Sequence, residues 1–465
     1  MTYLAPPHPT AWPPLAALSL AMLLPSLGTS ITNVALPEFS RVFDATMPEV
    51  QWVVIAYLIA VTSCVLGAGR MGDAYGRRRF LLAGMALFVA ATAASAFAPG
   101  LWVLVALRAV QGVGASAMMA LTVAMVGDMV PKERTGSVIG LLGTVSAIGT
   151  AVGPTLGGFL LSQFGWPALF AALASVGVLA YAMGAAYVPQ DAPRNGEPNP
   201  VQATSMLLFA LALALVCISL TVGSALSAIS LMTLATLVAA SIAAFVAHER
   251  AATVPLLRFA LLRDQSLSSG LIGMLLISSI VMTTLVVGPF HLSQTLGLSP
   301  LQTGLVMSVG PLVAALSGFP AGRLVDVLGT TKVTNLGLFL LVIGSGTMAA
   351  LPLAAEVFGY ASGLALITSG YALFQAANTT ALMKAAPSDR KGMTSALIGL
   401  ARNLGFVLGS SAMGTLFGLI RQIAADADGT PNGALALRVT FVVATALALV
   451  STVVLRKGAK HDSPW

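Results

Sequence analysis

A helix needs about 20 apolar residues to cross a bilayer, and fourteen stretches of that kind follow one another in this chain. They lie near 12–36, 51–69, 80–98, 101–127, 136–161, 167–188, 205–221, 228–247, 268–290, 301–320, 333–351, 357–382, 392–418 and 434–455. Only 8% of the 465 residues are charged, against roughly 25% in soluble domains. Such a chain cannot cover a water-facing surface. In lipid every backbone polar group must be satisfied internally, which restricts spanning structures to helices and closed barrels. Barrel strands alternate every second residue, whereas these runs are continuously apolar, so the reading is an all-α integral membrane protein.

The formal charge of +7 is explained by topology rather than by a nucleic-acid partner. Eighteen of the 23 Lys and Arg residues fall in the breaks on one side of the spans. Arg41, Arg421 and Arg438 fall on the other, and Arg108 and Arg402 lie within spans. Basic residues collect on the cytoplasmic side, which places both termini there and suits the cytoplasmic membrane of a bacterium. No Lys or Arg precedes the first span, so it reads as a retained helix rather than a cleaved leader. Cys64 and Cys217 both sit in apolar runs and read as small packing residues.

The chain also repeats itself. Gly69, Arg70, Asp73 and Gly76 sit in a charged turn, Gly69–Arg79, between the second and third spans, and Gly322, Arg323, Asp326 and Gly329 return at an offset of 253. Pro131–Gly136 matches Pro387–Gly392 at an offset of 256, and at that offset Gly143, Gly149, Gly153 and Gly158 fall on Gly399, Gly405, Gly409 and Gly414. Two related six-helix units follow, residues 1–188 and 260–465, as in transporters built from parallel repeats. Residues 189–259 hold a Pro-rich linker and two inserted helices without counterparts, read as peripheral packing.

Four ordered motifs carry a family resemblance. Thr29–Pro37, the turn Gly69–Arg79, Leu107–Gly114 and the Gly/Pro pattern Gly143, Gly149, Gly153, Pro154, Gly157, Gly158 resemble those of the major facilitator superfamily, in its fourteen-helix drug:proton antiporter branch. The resemblance implies the major facilitator fold and a multidrug efflux antiporter that exports amphipathic compounds as its halves rock. By it, Gly69, Arg70, Asp73, Gly76 and Arg77, with Asp128 and with Gly322, Arg323 and Asp326 in the second half, form a conformational latch. Arg108 takes part in proton transfer. Read from the residues, glycines four apart on the fifth helix allow close backbone approach and Pro154 favours a kink, which suits a contact between the halves. A buried charge in a span is costly and usually functional, which singles out Arg402 beside Arg108. Tyr371, Gln375 and Asn378 share a helical face and form a candidate cavity wall, with Asn33, Trp52, Tyr57, Gln111 and Met118 from the first half.

One departure bears on the driving ion. Gly28 stands where the branch carries an acid in its first helix, and no Asp or Glu lies deep in any stretch. Asp128, Glu49 and Arg108 remain as coupling candidates. Two arginines without an acid suit neutral or anionic amphiphiles better than cations. His291 reads as a surface polar residue. Two G-x-G-x-x-G/A matches, Gly67–Gly72 and Gly112–Ala117, lack the βαβ setting of a dinucleotide site. No Walker A or H-E-x-x-H sequence occurs, so no cofactor, metal or enzymatic chemistry is implied. A monomer is the expected unit. The alternatives are a metabolite or lipid exporter without proton coupling and, more remotely, a receptor or scaffold.

Overall fold

The computed structural model describes residues 12–129, 132–191, 203–223, 226–252, 255–257, 259–350, 356–387, 391–424 and 432–461. Among them are fourteen helices long and apolar enough to cross a membrane. In chain order they are α1 (Trp12–Val34), α2 (Trp52–Tyr75), α3 (Arg77–Ser95), α4 (Leu101–Met129), α5 (Lys132–Phe164), α6 (Pro167–Tyr187), α7 (Ala203–Val222), α8 (Ala228–Ala251), α9 (Gln265–Phe290), α10 (Pro300–Leu328), α11 (Thr330–Ala350), α12 (Glu356–Ala385), α13 (Lys391–Leu408) and α14 (Gly433–His461). A π-turn, His291–Thr295, prolongs α9. A second, Gly409–Met413, carries α13 into Gly414–Ile423. The face bearing Arg77–Arg79 is called the basic face below, and the other the opposite face.

The repeat read from charged turns extends into the way the helices begin and end. Thr46 opens the short helix leading into α2 with a capping box: its backbone N–H and hydroxyl both donate to Glu49 Oε2 at 2.7 Å. Ser299, 253 residues on, opens α10 with the same device, donating its N–H to Gln302 Oε1 at 2.9 Å. α2 and α10 each stop at a glycine with positive φ, Gly76 at 100° and Gly329 at 82°. Each glycine N–H donates at 3.0 Å to the carbonyl four residues back. A left-handed residue ends a helix at small cost only when it lacks a Cβ.

Helix contacts repeat as well. A Cβ on Gly84 of α3 would lie 3.2 Å from the carbonyl oxygen of Gly114 in α4, and one on Gly337 of α11 would lie 2.8 Å from that of Gly370 in α12. Gly112 brings α4 equally close to α2, at 2.5 Å from the Tyr57 carbonyl oxygen. On the opposite face Phe39, in the short helix Leu36–Val42, meets Trp166 edge-on at 5.9 Å and stacks on Phe170 at 6.3 Å. Beside it Glu38 hydrogen-bonds Arg41 at 2.9 Å and holds that guanidinium above its ordinary pKa, by the hydrogen bond first and by charge second.

The inserted pair is divided in role. Helix α8 is largely uncovered, with Ile229, Met232 and Leu237 exposed. Helix α7 packs on both halves: Met206 fills the space beside Gly67 of α2, and the Cys217 carbonyl accepts a hydrogen bond from Ser411 of the second half at 3.2 Å. Peripheral packing describes α8 but not α7. His291 is likewise buried rather than on the surface, 6.0 Å from the Tyr360 ring.

Candidate functional site

The two halves meet around a cavity of about 360 Å³, lined by α1, α2, α4 and α5 from the first and α9, α10, α12 and α13 from the second. Its walls are mostly apolar, including Leu58, Val61, Val281, Leu285, Leu364 and Phe406. Polar groups are few: Asn33, Tyr57, Tyr371, Gln375, Arg402 and Asn403, with several hydroxyls. No Asp or Glu among the described residues lines it. Ser26 and Ser146 bond to one another at 2.5 Å, and the Tyr57 hydroxyl donates to the Pro25 carbonyl at 3.1 Å.

Two lining groups lack partners. Asn33 is 1% exposed, yet neither its Nδ2 nor its Oδ1 has a hydrogen bond. Arg402 forms no ion pair among the described residues, and its Nε is buried without a hydrogen-bond partner. A buried polar atom left unsatisfied costs about 1–3 kcal/mol. A cation deep in a span costs roughly 2.5 kcal/mol or more. The cavity therefore holds polar capacity that the protein itself does not use.

Other polar residues singled out by the sequence are committed elsewhere. Arg108 is fully buried and does not line the cavity. Its Nε donates to the Val53 carbonyl at 3.0 Å, it donates to Gln111 Oε1, and its guanidinium lies 4.3 Å from the Tyr57 ring centroid. Gln111 in turn donates to Thr92 at 2.7 Å. This chain ties α2, α3 and α4 together behind the cavity wall, with Arg108 Nη2 left unpartnered. Asn378 is turned away as well, donating to the Gly270 carbonyl at 3.1 Å. Trp52 and Met118 lie off the lining, where Met119 takes the place of its neighbour. A Cβ on Gly28 would face Leu173, Phe88 and Gln111, so that position looks into the Arg108–Gln111 network and not into the cavity.

The helix-5 glycines divide between two partners. Gly149, Gly153 and Gly157 lie against Leu23, Ser30 and Ile31 of α1, inside the first half. The contact between halves belongs to the next residue: a Cβ on Gly158 would be 2.4 Å from the Pro300 carbonyl oxygen of α10. Opposite it, a Cβ on Gly304 would be 2.2 Å from the Pro154 carbonyl oxygen, and Thr155 and Ser308 share a hydrogen bond at 2.6 Å. The repeat supplies a second seam. Gly405 and Gly409 pack on Leu275 and Ser279 of α9, while Gly414 meets Gln51, the residue before α2. Gln51 is the repeat counterpart of Gly304, and its buried amide has no hydrogen bond. Both seams lie toward the opposite face. Toward the basic face no comparable packing of α4 and α5 on α12 and α13 is found among the described residues. There Gly143 and Gly399 look into open space.

On the basic face Arg77 Nε donates to Asp73 Oδ1 at 2.8 Å and its guanidinium to the Ala124 carbonyl at 3.4 Å. Arg78 donates to the carbonyls of Val188 and Ala185 at the end of α6, at 2.9 and 2.6 Å. Arg70 reaches the Pro255 carbonyl at 3.2 Å. Asp191, not singled out by the sequence, accepts from the backbone N–H groups of Arg78 and Arg79 at 2.9 and 3.3 Å and so caps α3. The second-half turn is sparser: Arg323 lies 4.7 Å from the Phe319 ring, and Gly69 and Gly322 both face open space. The side chain of Asp128 and the match at Pro131 and Ser388–Arg390 lie outside the described residues.

The family model of the Major Facilitator Superfamily matches residues 18–410 and 270–464. The chain belongs to the major facilitator superfamily. It is a multi-pass membrane transporter and not an enzyme. It is 31% identical over 413 residues to the multidrug resistance protein Stp of Mycobacterium tuberculosis (strain CDC 1551 / Oshkosh), covering 86% of this chain and 75% of that one. It is 27% identical to the riboflavin transporter RibZ of Clostridioides difficile (strain 630), over 87% of this chain and 88% of that one. Among solved structures, a bacterial homologue of the human lysosomal transporter Spinster superposes with a TM-score of 0.70 at 14% identity, covering 98% of both chains. The D-xylose-proton symporter superposes at 0.69 and 15%, over 96% of this chain and 97% of that one.

Proposed function

We propose that this transporter exports amphipathic organic compounds across the cytoplasmic membrane of a bacterium by rocking residues 1–188 against 260–465, with the basic face and both termini in the cytoplasm. The observation that carries this reading is the shape of the central cavity. It is apolar with a few polar groups, roofed by glycine seams toward the opposite face and, among the described residues, without such a seam toward the basic face. A site built in this way takes a substrate from one side and is released to the other when the seams part. The two relatives named for multidrug resistance and riboflavin transport support organic substrates.

Proton exchange is implied by the family branch, but no carboxylate among the described residues lines the cavity. That absence favours a second reading within the same function: export not coupled to protons. The test is transport into inside-out vesicles from cells stripped of their own drug pumps, with a panel of fluorescent amphiphiles. Accumulation that requires the protein supports export; none for any probe, with the protein folded in the membrane, rules it out. Collapse of the pH gradient then separates the two driving modes.

A further inference from the structure

We infer that Arg402 and Asn33 form an anion-binding subsite, so that the exported compound is an organic anion, a carboxylate or sulfonate on an apolar body, driven outward by the membrane potential. The inference rests on the exporter reading and names its substrate class.

Three observations converge. Arg402 lines the cavity with its Nε buried and unpartnered, and no acid among the described residues lines the same space. Asn33 lines it from the other half, buried, with both amide atoms unpartnered. A planar guanidinium presents paired N–H donors that match an oxyanion, and the Asn33 amide adds a donor. The apolar walls at Leu58, Val61, Leu364 and Phe406 accept the rest of the molecule. A cation would meet an uncompensated positive charge here. A neutral ligand would leave that charge unpaired.

The same assignment accounts for the absent carboxylate. A transporter that carries a cation out against an inside-negative potential needs an acid to bind it and a proton to offset its charge. An anion needs neither. One elementary charge crossing 100 mV exchanges about 2.3 kcal/mol, so that potential alone sustains a roughly 50-fold outward gradient of a monoanion. Arg402 and Asn33 belong to different halves, so a bound oxyanion also joins the two walls that must move together.

A matched series tests this: 2-naphthoate, 2-naphthamide and 2-naphthylmethylammonium share one apolar body and differ in charge. Binding to the purified full-length protein is measured by titration calorimetry. Naphthoate is expected to bind at least about tenfold more tightly than naphthamide, the lower end for hydrogen bonds to a charged group, and the ammonium more weakly than either. Arg402→Gln brings naphthoate to within about twofold of naphthamide, and Arg402→Lys restores part of the preference. Equal binding of the three by the wild-type chain, or preference for the ammonium, overturns the subsite without any variant. So does an anion preference that survives Arg402→Gln. In proteoliposomes, with the potential set by potassium and valinomycin, naphthoate efflux accelerates when the interior is negative. Efflux that follows the pH gradient and ignores the potential overturns the driving force. A protein that binds naphthoate but moves none of the three fails as an exporter, which is distinct from one that moves all three without preference.

Discussion

Gly304→Ala places a methyl group in a close backbone contact between the two halves. Its carbon would sit 2.2 Å from the Pro154 carbonyl oxygen, 3.0 Å from that carbonyl carbon and 3.2 Å from the Gly158 Cα. All three atoms are backbone, so no side chain can swing aside, and α5 and α10 must part by about 1 Å to regain ordinary contact. Overpacking of this kind costs about 1–3 kcal/mol. The cost falls on the state in which the seam is closed and not on the state in which it is open. At about 1.4 kcal/mol per factor of ten, the closed-to-open ratio should fall roughly 5- to 150-fold. The assay is labelling of Thr155→Cys by a membrane-impermeant maleimide added on the opposite face, in a background with Cys64 and Cys217 replaced. Gly304→Ala should raise the labelling rate by that ratio where the open state is the minor one. Gly414→Ala should do less, because its methyl would meet the Gln51 side-chain amide, which can rotate away. Gly143→Ala, which faces empty space, should do nothing. Equal rates for Gly304→Ala and Gly143→Ala would refute the view that this seam gates the cavity.

Further outcomes follow from the basic face. Asp73→Asn removes one partner of the exposed Asp73–Arg77 pair, and exposed pairs contribute about 1 kcal/mol or less to stability; transport should fall at least tenfold while the melting temperature moves by only a few degrees. Unaltered flux would remove the latch role. Gly76→Leu puts a side chain at φ 100° and its Cβ 2.4 Å from Asp191 Oδ2, so a loss of about 1–3 kcal/mol is expected in thermal unfolding. Asp191→Ala takes away the α3 cap, with an expected loss of about 0.5–2 kcal/mol; no change in melting would show that the cap is immaterial.

Much of the architecture could be read from the chain because bilayer thickness fixes span length, and the repeat could be read because charged turns are rare in so apolar a sequence. The seams could not. Spacing four identifies residues that share a helical face, and Gly149, Gly153 and Gly157 do share one, but spacing does not say which helix they meet. It is α1, and the contact between halves falls one residue later. Polar residues in spans pose the same ambiguity. Gln111 and Asn378 resemble Asn33 in sequence, yet the first two spend their amides on protein partners and the third does not. Whether an amide is spent depends on a neighbour more than ten residues away, which periodicity does not encode. Asp191 was hidden because its value lies in capping a helix more than a hundred residues earlier. The role of α7 was hidden because its sequence carries no charge and few polar groups, so little in it distinguishes lipid contact from contact with two halves.

Rigid-body exchange between the two halves is tested most directly by joining them where they meet. Thr155 and Ser308 lie across the α5–α10 seam with their hydroxyl oxygens 2.6 Å apart, which makes the two positions the choice for a cysteine pair across it. Thr155→Cys/Ser308→Cys in the background without Cys64 and Cys217 should export substrate when reduced, stop when oxidised, and resume on reduction. Full transport by the oxidised, cross-linked protein would contradict alternating access through this cavity.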